Sequence, residues 1–454
     1  GNSTAAATQR FFSFALGKRD FEKLAKTFTV NWIIYGIIAI VAFVLLETVG
    51  AWFVNQQLHL PPERLEAAQW VYHFSILTFI ATIFTTPFMA IIIAHEDMHI
   101  YAYISISDAA LRLCSVFLLL HLPWDKLEVY GVLIFAASIV NTIIYIGICT
   151  AKYRECQFRR FYWDKEILHE IIGFTGWTLF GQLSTVTRNQ AVTILLNQTF
   201  NPIVVAARAI ATNITDRINV FSNDFNVGLY PQIIKAYASR DKQNMISLIF
   251  NGSKITFFLM WGLALPMFLE METLLRIWLK NPPPETALFT RLALVEVLIN
   301  SISLPFMTAA RAPGKMKAYE LTLGTIQIAI FAASWIVLKM GGAAYSVFVI
   351  AIAANIVLFI VRLLIVKKLI DLSIKLFFRQ VAIPASKVIL LSATPSLALH
   401  LYLPKGPGFA SISILSTVLF TCLCMYFFGL DKTWRKKMRS ILAASGTPPI
   451  QPTD

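Results

Sequence analysis

Apolar blocks long enough to cross a bilayer recur along this chain, with only short polar connections between them. That spacing limits the folds open to it. A hydrocarbon core is ~30 Å thick and takes roughly 20 helical residues to span. Backbone in lipid must satisfy its own hydrogen bonds, so each block is helical unless the chain closes a barrel. A barrel needs short segments of alternating polarity, whereas these are long and unbroken. Apolar residues make up 57% of the chain and charged residues 14%, where a soluble domain is nearer half and a quarter. The pattern predicts an all-α polytopic membrane protein with 12 spans, at 28–54, 69–94, 100–121, 127–150, 167–197, 203–235, 243–269, 286–311, 316–338, 345–366, 383–403 and 409–429.

A formal net charge of +14 would suit a nucleic-acid partner, but its distribution argues otherwise. Alternate connections carry 26 Lys and Arg on one side and 6 on the other. By the positive-inside rule the first side is cytoplasmic, which puts both ends of this chain there. The surplus is then an orientation signal that also meets anionic lipid heads, so the expected partner is the bilayer and not nucleic acid.

The blocks are also duplicated. TTPFMAIIIAHEDMHIYAYISI at 85–106 matches SLPFMTAARAPGKMKAYELTLG at 303–324, with six identities in 22 positions: Pro87/Pro305, Phe88/Phe306, Met89/Met307, Ala94/Ala312, Met98/Met316 and Tyr101/Tyr319. Arg19-Asp20 echoes Arg240-Asp241 at a shift of 221 rather than 218. Two similar halves in a hydrophobic chain are the mark of a transporter with its site between repeats. In the second half, helices 167–197 and 203–235 precede the Arg240-Asp241 loop; in the first, Arg19-Asp20 stands almost at the start. The expected plan is two pseudo-symmetric six-helix lobes, the first lacking its first two helices by N-terminal truncation, plus a terminal pair. Its parts are 1–166 (four remaining spans), 167–381 (six spans), 382–430 (the helix pair) and a cytoplasmic tail at 431–454.

The span 203–235 is unusual for lipid. Arg208, Thr212, Thr215, Asn219, Ser222 and Asn226 follow at steps of four and three, widened by Asn213, Asp216, Arg217, Asn223 and Asp224. Gln182 and Asn189 share a polar row on the preceding helix, beside Arg188. Charges at the middle of a membrane cost ~2.5–3.5 kcal/mol even on insertion scales, so they face a bundle interior or water. Arg188, Arg208 and Arg217 are candidate anion binders, because guanidinium stays charged and its fork fits phosphate. Asp216, Asn213, Asn219, Gln182 and Asn189 complete the candidate cavity. The plainer alternative pairs Asp216 with Arg188 or another cation and uses the Asn and Thr rows as helix glue. Glu296, Glu320 and Asp108 are candidate coupling carboxylates, although Asp108 also stands four residues from Arg112, the spacing of a local ion pair. Lys254 and Arg291, near span ends, are expected to snorkel.

His95-Glu96-Asp97-Met98-His99 matches H-E-x-x-H, which on one helix would hold zinc and raise an intramembrane protease as a rival. Its repeat partner is Pro313-Gly314-Lys315-Met316-Lys317, a turn sequence, so a turn is expected here and no metal. The five cysteines show no metal or disulfide spacing. No G-x-x-x-x-G-K-[ST] appears, so no nucleotide cofactor is expected, nor is catalysis.

ATQRFFSFALGK, PPERLEAAQWVYHFSILTF, IIAHEDM with YAYISI, GWTLFGQLSTVTRNQ, VAARAIA and MTAARAPGKMKAYE resemble bacterial polysaccharide flippases. These belong to the multidrug/oligosaccharidyl-lipid/polysaccharide exporter superfamily. The resemblance runs from residue 5 to about 380 and implies two six-helix lobes around a central cavity. It implies flipping of undecaprenyl-diphosphate-linked oligosaccharide across a bacterial inner membrane for O-antigen, capsule or exopolysaccharide, with polymerase and ligase machinery as partners. In such proteins cavity arginines meet diphosphate and acidic sugars, a role that would fall here on Arg188, Arg208 and Arg217. A drug/cation antiporter of the same superfamily is the nearest alternative, followed by a lipid II flippase.

Overall fold

A computed structural model describes residues 2–56, 62–157, 162–404, 406–431 and 435. Among these residues the chain is helical with no strand, in thirteen helices: α1 Asn2–Gly17, α2 Phe21–Gln56, α3 Leu65–Ala94, α4 Met98–His121, α5 Lys126–Lys152, α6 Lys165–Thr199, α7 Pro202–Ala238, α8 Lys242–Leu279, α9 Thr286–Arg311, α10 Met316–Lys339, α11 Ser346–Ile370, α12 Ile374–Tyr402 and α13 Pro407–Gly429. Ten are long and apolar enough to cross a membrane. The two long helices left out of that set are α6 and α7, at 35 and 37 residues, because their polar rows interrupt every apolar window. The fold is that of an all-α polytopic membrane protein. Apart from Asp431 and Arg435, the expected tail at 431–454 lies outside the described residues.

The chain divides into two compact units. Unit 1 holds 1–182 with 230–245 and 311–317; unit 2 holds 183–229, 246–310 and 318–454. In unit 1, α3 packs along α1, α2 and α5, and Phe12, Leu24, Phe28, Phe88, Ile91, Tyr145 and Cys149 fill the centre. In unit 2, Phe289, Ala293, Val347 and Phe348 join α9 to α11. The terminal pair is anchored on α8 by Phe257, Phe258, Ala385 and Val388 and by the Trp261 indole N–H, which donates to Ser392 Oγ at 2.9 Å.

The duplication is carried in the backbone. Pro87 and Pro305 lie inside α3 and α9. Their neighbours Phe88 and Phe306 are buried, each against a phenylalanine of the preceding helix: Phe28 at 5.5 Å and Phe250 at 6.4 Å between centroids. The turns repeat as well. Glu96 (φ 67°) and Gly314 (φ 81°) are left-handed at equivalent positions, as are Arg19 (56°) and Arg240 (60°). At residues 20, 97 and 241 the N–H returns to the carbonyl five residues earlier, at 3.0, 3.2 and 2.9 Å. This satisfies the orphan carbonyls of a helix end. Asp20 and Asp241 then cap the next helix by accepting from the Lys23 and Asn244 N–H.

Three expectations need correction. Helix α8 continues to Leu279 instead of ending at 269, because the chain passes Pro266 and one non-helical residue, Glu270 (φ −99°, ψ 18°), and resumes. Helix α12 begins at Ile374, well before 383, through a π-helical turn at 378–382. Lys254 does not snorkel: it is fully buried and bonds Asp431 at 2.6 Å.

Candidate functional site

The polar rows of α6 and α7 satisfy themselves first. Thr212 Oγ1 donates to the Arg208 carbonyl at 3.1 Å, Thr215 to Ala211 at 3.1 Å and Thr193 to Asn189 at 2.9 Å. Asn226 Nδ2 donates to the Ser222 carbonyl at 2.8 Å and reaches Thr256 on α8 at 3.2 Å. Such back-bonding uses the hydroxyl proton on the helix's own carbonyl. The predicted stripe is therefore divided: Thr215 and Ser222 are buried, whereas Asn213, Asp216, Arg217, Asn223 and Asp224 are exposed.

Within unit 2 two of the three predicted arginines converge. Arg188 on α6 and Arg208 on α7 are each half-buried. The charge of Glu296 on α9 is felt at both, and that of Arg188 at Arg208. Glu296 accepts from Asn355 Nδ2 on α11 at 2.9 Å, which fixes its carboxylate. Arg208 also lies over the Phe348 ring at 5.6 Å, a cation–π contact that orients the guanidinium. Buried Nε of Arg188 has no hydrogen-bond partner. Two guanidinium groups against one carboxylate leave an excess positive charge on the apposed polar helices. Asn355 and Phe348 were not singled out from the sequence, because an Asn and a Phe in apolar helices give no signal until α11 is laid beside α9.

The remaining candidates differ in exposure. Arg217 and Asp216 stand exposed on α7. Asn219 and Gln182 are half-buried and Asn189 exposed; Gln182 ends unit 1's share of α6. Glu320 is buried at the start of α10. Asp108 bonds Arg112 at 2.9 Å, the local i,i+4 pair.

The H-E-x-x-H residues do not share a helix. His95 closes α3 and stacks on Tyr153 at 4.5 Å, with Nε2 at 2.5 Å from Glu155. Glu96 turns back to Lys235 at 2.7 Å. Asp97 accepts from Tyr153 at 2.6 Å and pairs with Lys152 at 2.9 Å. Burial would raise the Asp97 carboxyl, but these two bonds outweigh it and hold it below the usual range. Among the described residues no three His, Cys, Asp or Glu side chains gather as a metal site.

No protein-family model matches the sequence, and no curated protein does either. The fold is similar to that of solved transporters. A proline-to-alanine mutant of a MATE protein superposes with a TM-score of 0.71 at 13% identity, over 82% of this chain and 85% of that one. The outward-facing form of a multidrug resistance MATE family transporter of the MOP superfamily gives 0.71 at 14%, over 81% and 84%. A MOP superfamily transporter from Pyrococcus furiosus, described as having a binding pocket of reverse polarity that suggests a different function, gives 0.71 at 14%, over 81% and 84%. At such identities the likeness establishes the fold.

Proposed function

We propose that this chain is an exporter of the MOP superfamily that moves an anionic polyprenyl-diphosphate-linked oligosaccharide across a bacterial inner membrane by alternating access. Both ends of the chain lie in the cytoplasm, and polymerase and ligase act on the product. What supports this is the nearness of Arg188 and Arg208 to each other and to Glu296, close enough for their charges to interact. Paired guanidinium groups between polar helices suit diphosphate, which accepts bidentate bonds. The flanking carboxamides and hydroxyl oxygens suit sugar hydroxyls, while the polyprenyl tail stays in lipid. Rocking of the repeats would then re-expose the head group.

A drug/cation antiporter shares the fold, and the Glu296–Asn355 pair at 2.9 Å is the feature that favours it. A carboxylate held by a carboxamide can take up a cation or proton. The two readings separate on one experiment. Arg188→Ala and Arg208→Ala, placed in the gene that encodes this chain, should each cut surface polysaccharide by at least tenfold, with Arg→Lys partly preserving it. Normal polysaccharide in both alanine strains, together with drug sensitivity in Glu296→Gln, would select the antiporter.

A further inference from the structure

The contacts inside unit 1 contain a second duplication, in cations rather than in apolar sequence. Near its middle α1 carries Arg10, only 6% exposed. Its Nη2 donates to the Ala312 carbonyl at 3.0 Å, in the turn after α9. The guanidinium lies over Phe11, Phe14 and Phe174 at 4.7, 4.9 and 5.7 Å. Gly314, left-handed in the same turn, faces it so closely that a Cβ there would stand 2.7 Å from Nη2. The counterpart of α1 under the 221-residue shift is the end of α7, and this too carries a cation. Lys235 reaches Glu96, in the turn after α3, at 2.7 Å. Glu96 and Gly314 are equivalent residues of the two repeats, both with positive φ. Subtracting the shift places Lys235 opposite Phe14, one helical turn from Arg10. Each of these two helices thus sends a cation to the turn that belongs to the other half of the sequence.

We propose that Arg10–Ala312 and Lys235–Glu96 are a duplicated pair of latches, and that opening the pathway toward the cytoplasm requires both to break. The two differ in how they hold. Arg10 bonds a backbone carbonyl under an aromatic cover, so its release exposes an apolar surface. Lys235 and Glu96 are partly solvated, with 25% and 35% of their side chains accessible, so that latch opens more readily and at higher salt. One side is stiff and the other is loose. The direction of opening rests on the export reading.

The test reads opening without any substrate. Ser13, fully buried on α1, is replaced by cysteine in a chain whose five natural cysteines are removed. Labelling by a membrane-impermeant maleimide is followed in inside-out vesicles. Lys235→Glu should speed labelling about tenfold, since like charges then face each other; adding Glu96→Lys should restore the slow rate. Gly314→Ala, which crowds Arg10 without touching a charge, should speed it independently. Unchanged labelling in both Lys235→Glu and Gly314→Ala overturns the proposal, as does a charge swap that fails to restore slow labelling. Labelling that responds in strains whose surface polysaccharide is unaffected by Arg188→Ala keeps the latches and removes the export reading.

Discussion

Gly17 and Ala238, counterparts in the duplicated sequence, touch each other. A Cβ on Gly17 would stand 2.8 Å from the Ala238 Cβ and 2.8 Å from the Lys235 Cα. Only the absence of a side chain on Gly17 lets the two helices meet this closely. Close by, the Tyr230 hydroxyl donates to the Ala6 carbonyl at 3.0 Å. Gly17→Val should force α1 and α7 apart and destabilise the chain by about 2 kcal/mol, as overpacking does. Ala238→Gly should be tolerated to within about 1 kcal/mol. Thermal unfolding in detergent measures both.

Glu296 lies within electrostatic reach of two guanidinium groups. Glu296→Gln should therefore cost up to about 1 kcal/mol, since the three side chains are only half-buried and their charges interact at a distance. Asn355→Leu should cost less, since it frees the carboxylate without removing its charge. Melting temperatures give the order; a more stable Glu296→Gln protein would show that the three residues do not act together.

Asp97 predicts an acid-sensitive joint. Its carboxyl is held below the ordinary value by the Tyr153 and Lys152 bonds, so its contribution is full above about pH 4. That contribution is lost as pH falls through the lower folded value. In Tyr153→Phe the folded value rises toward the ordinary one, so the variant should be less stable than wild type near neutrality and the difference should shrink below pH 4. Melting curves from pH 3 to 7 check this. Tyr153 keeps its own proton throughout, because burial and then the Asp97 charge push the hydroxyl up.

Lys254 and Asp431 should behave as a unit. Asp431→Asn strands a buried ammonium and should destabilise by about 1–2 kcal/mol, moderated because Asp431 is largely exposed. Lys254→Met should be close to neutral and should rescue Asp431→Asn. A double-mutant cycle reads the coupling.

Chelation offers a simple check on the His95–His99 segment. Melting temperature should not move on exhaustive treatment with a zinc chelator, and Glu96→Gln should cost no more than about 1 kcal/mol, the worth of a partly solvated pair.

Much of this fold was legible because lipid imposes a narrow grammar of helix lengths, and because the repeat offered a second copy of each ambiguous segment. Pro313-Gly314 announced a turn, and its partner Glu96 proved left-handed without a glycine. What stayed hidden was distance between remote helices. Arg10 reads as one more basic residue near a connection until Ala312, 302 residues away, is brought beside it. Arg217 had the same chemistry as Arg208, but helical phase put it on the exposed side of α7. Lys254 looked able to reach water because nothing local shows that the terminal pair brings Asp431 over it.

The back-bonded hydroxyls of α7 have one further consequence. With its proton committed to a carbonyl one turn earlier, half-buried Thr212 offers only lone pairs to its surroundings, while Thr215, committed in the same way, is buried. Such a face presents acceptors without donors, so on the proposed reading it suits a guest rich in hydroxyl groups and leaves capture to the two arginines.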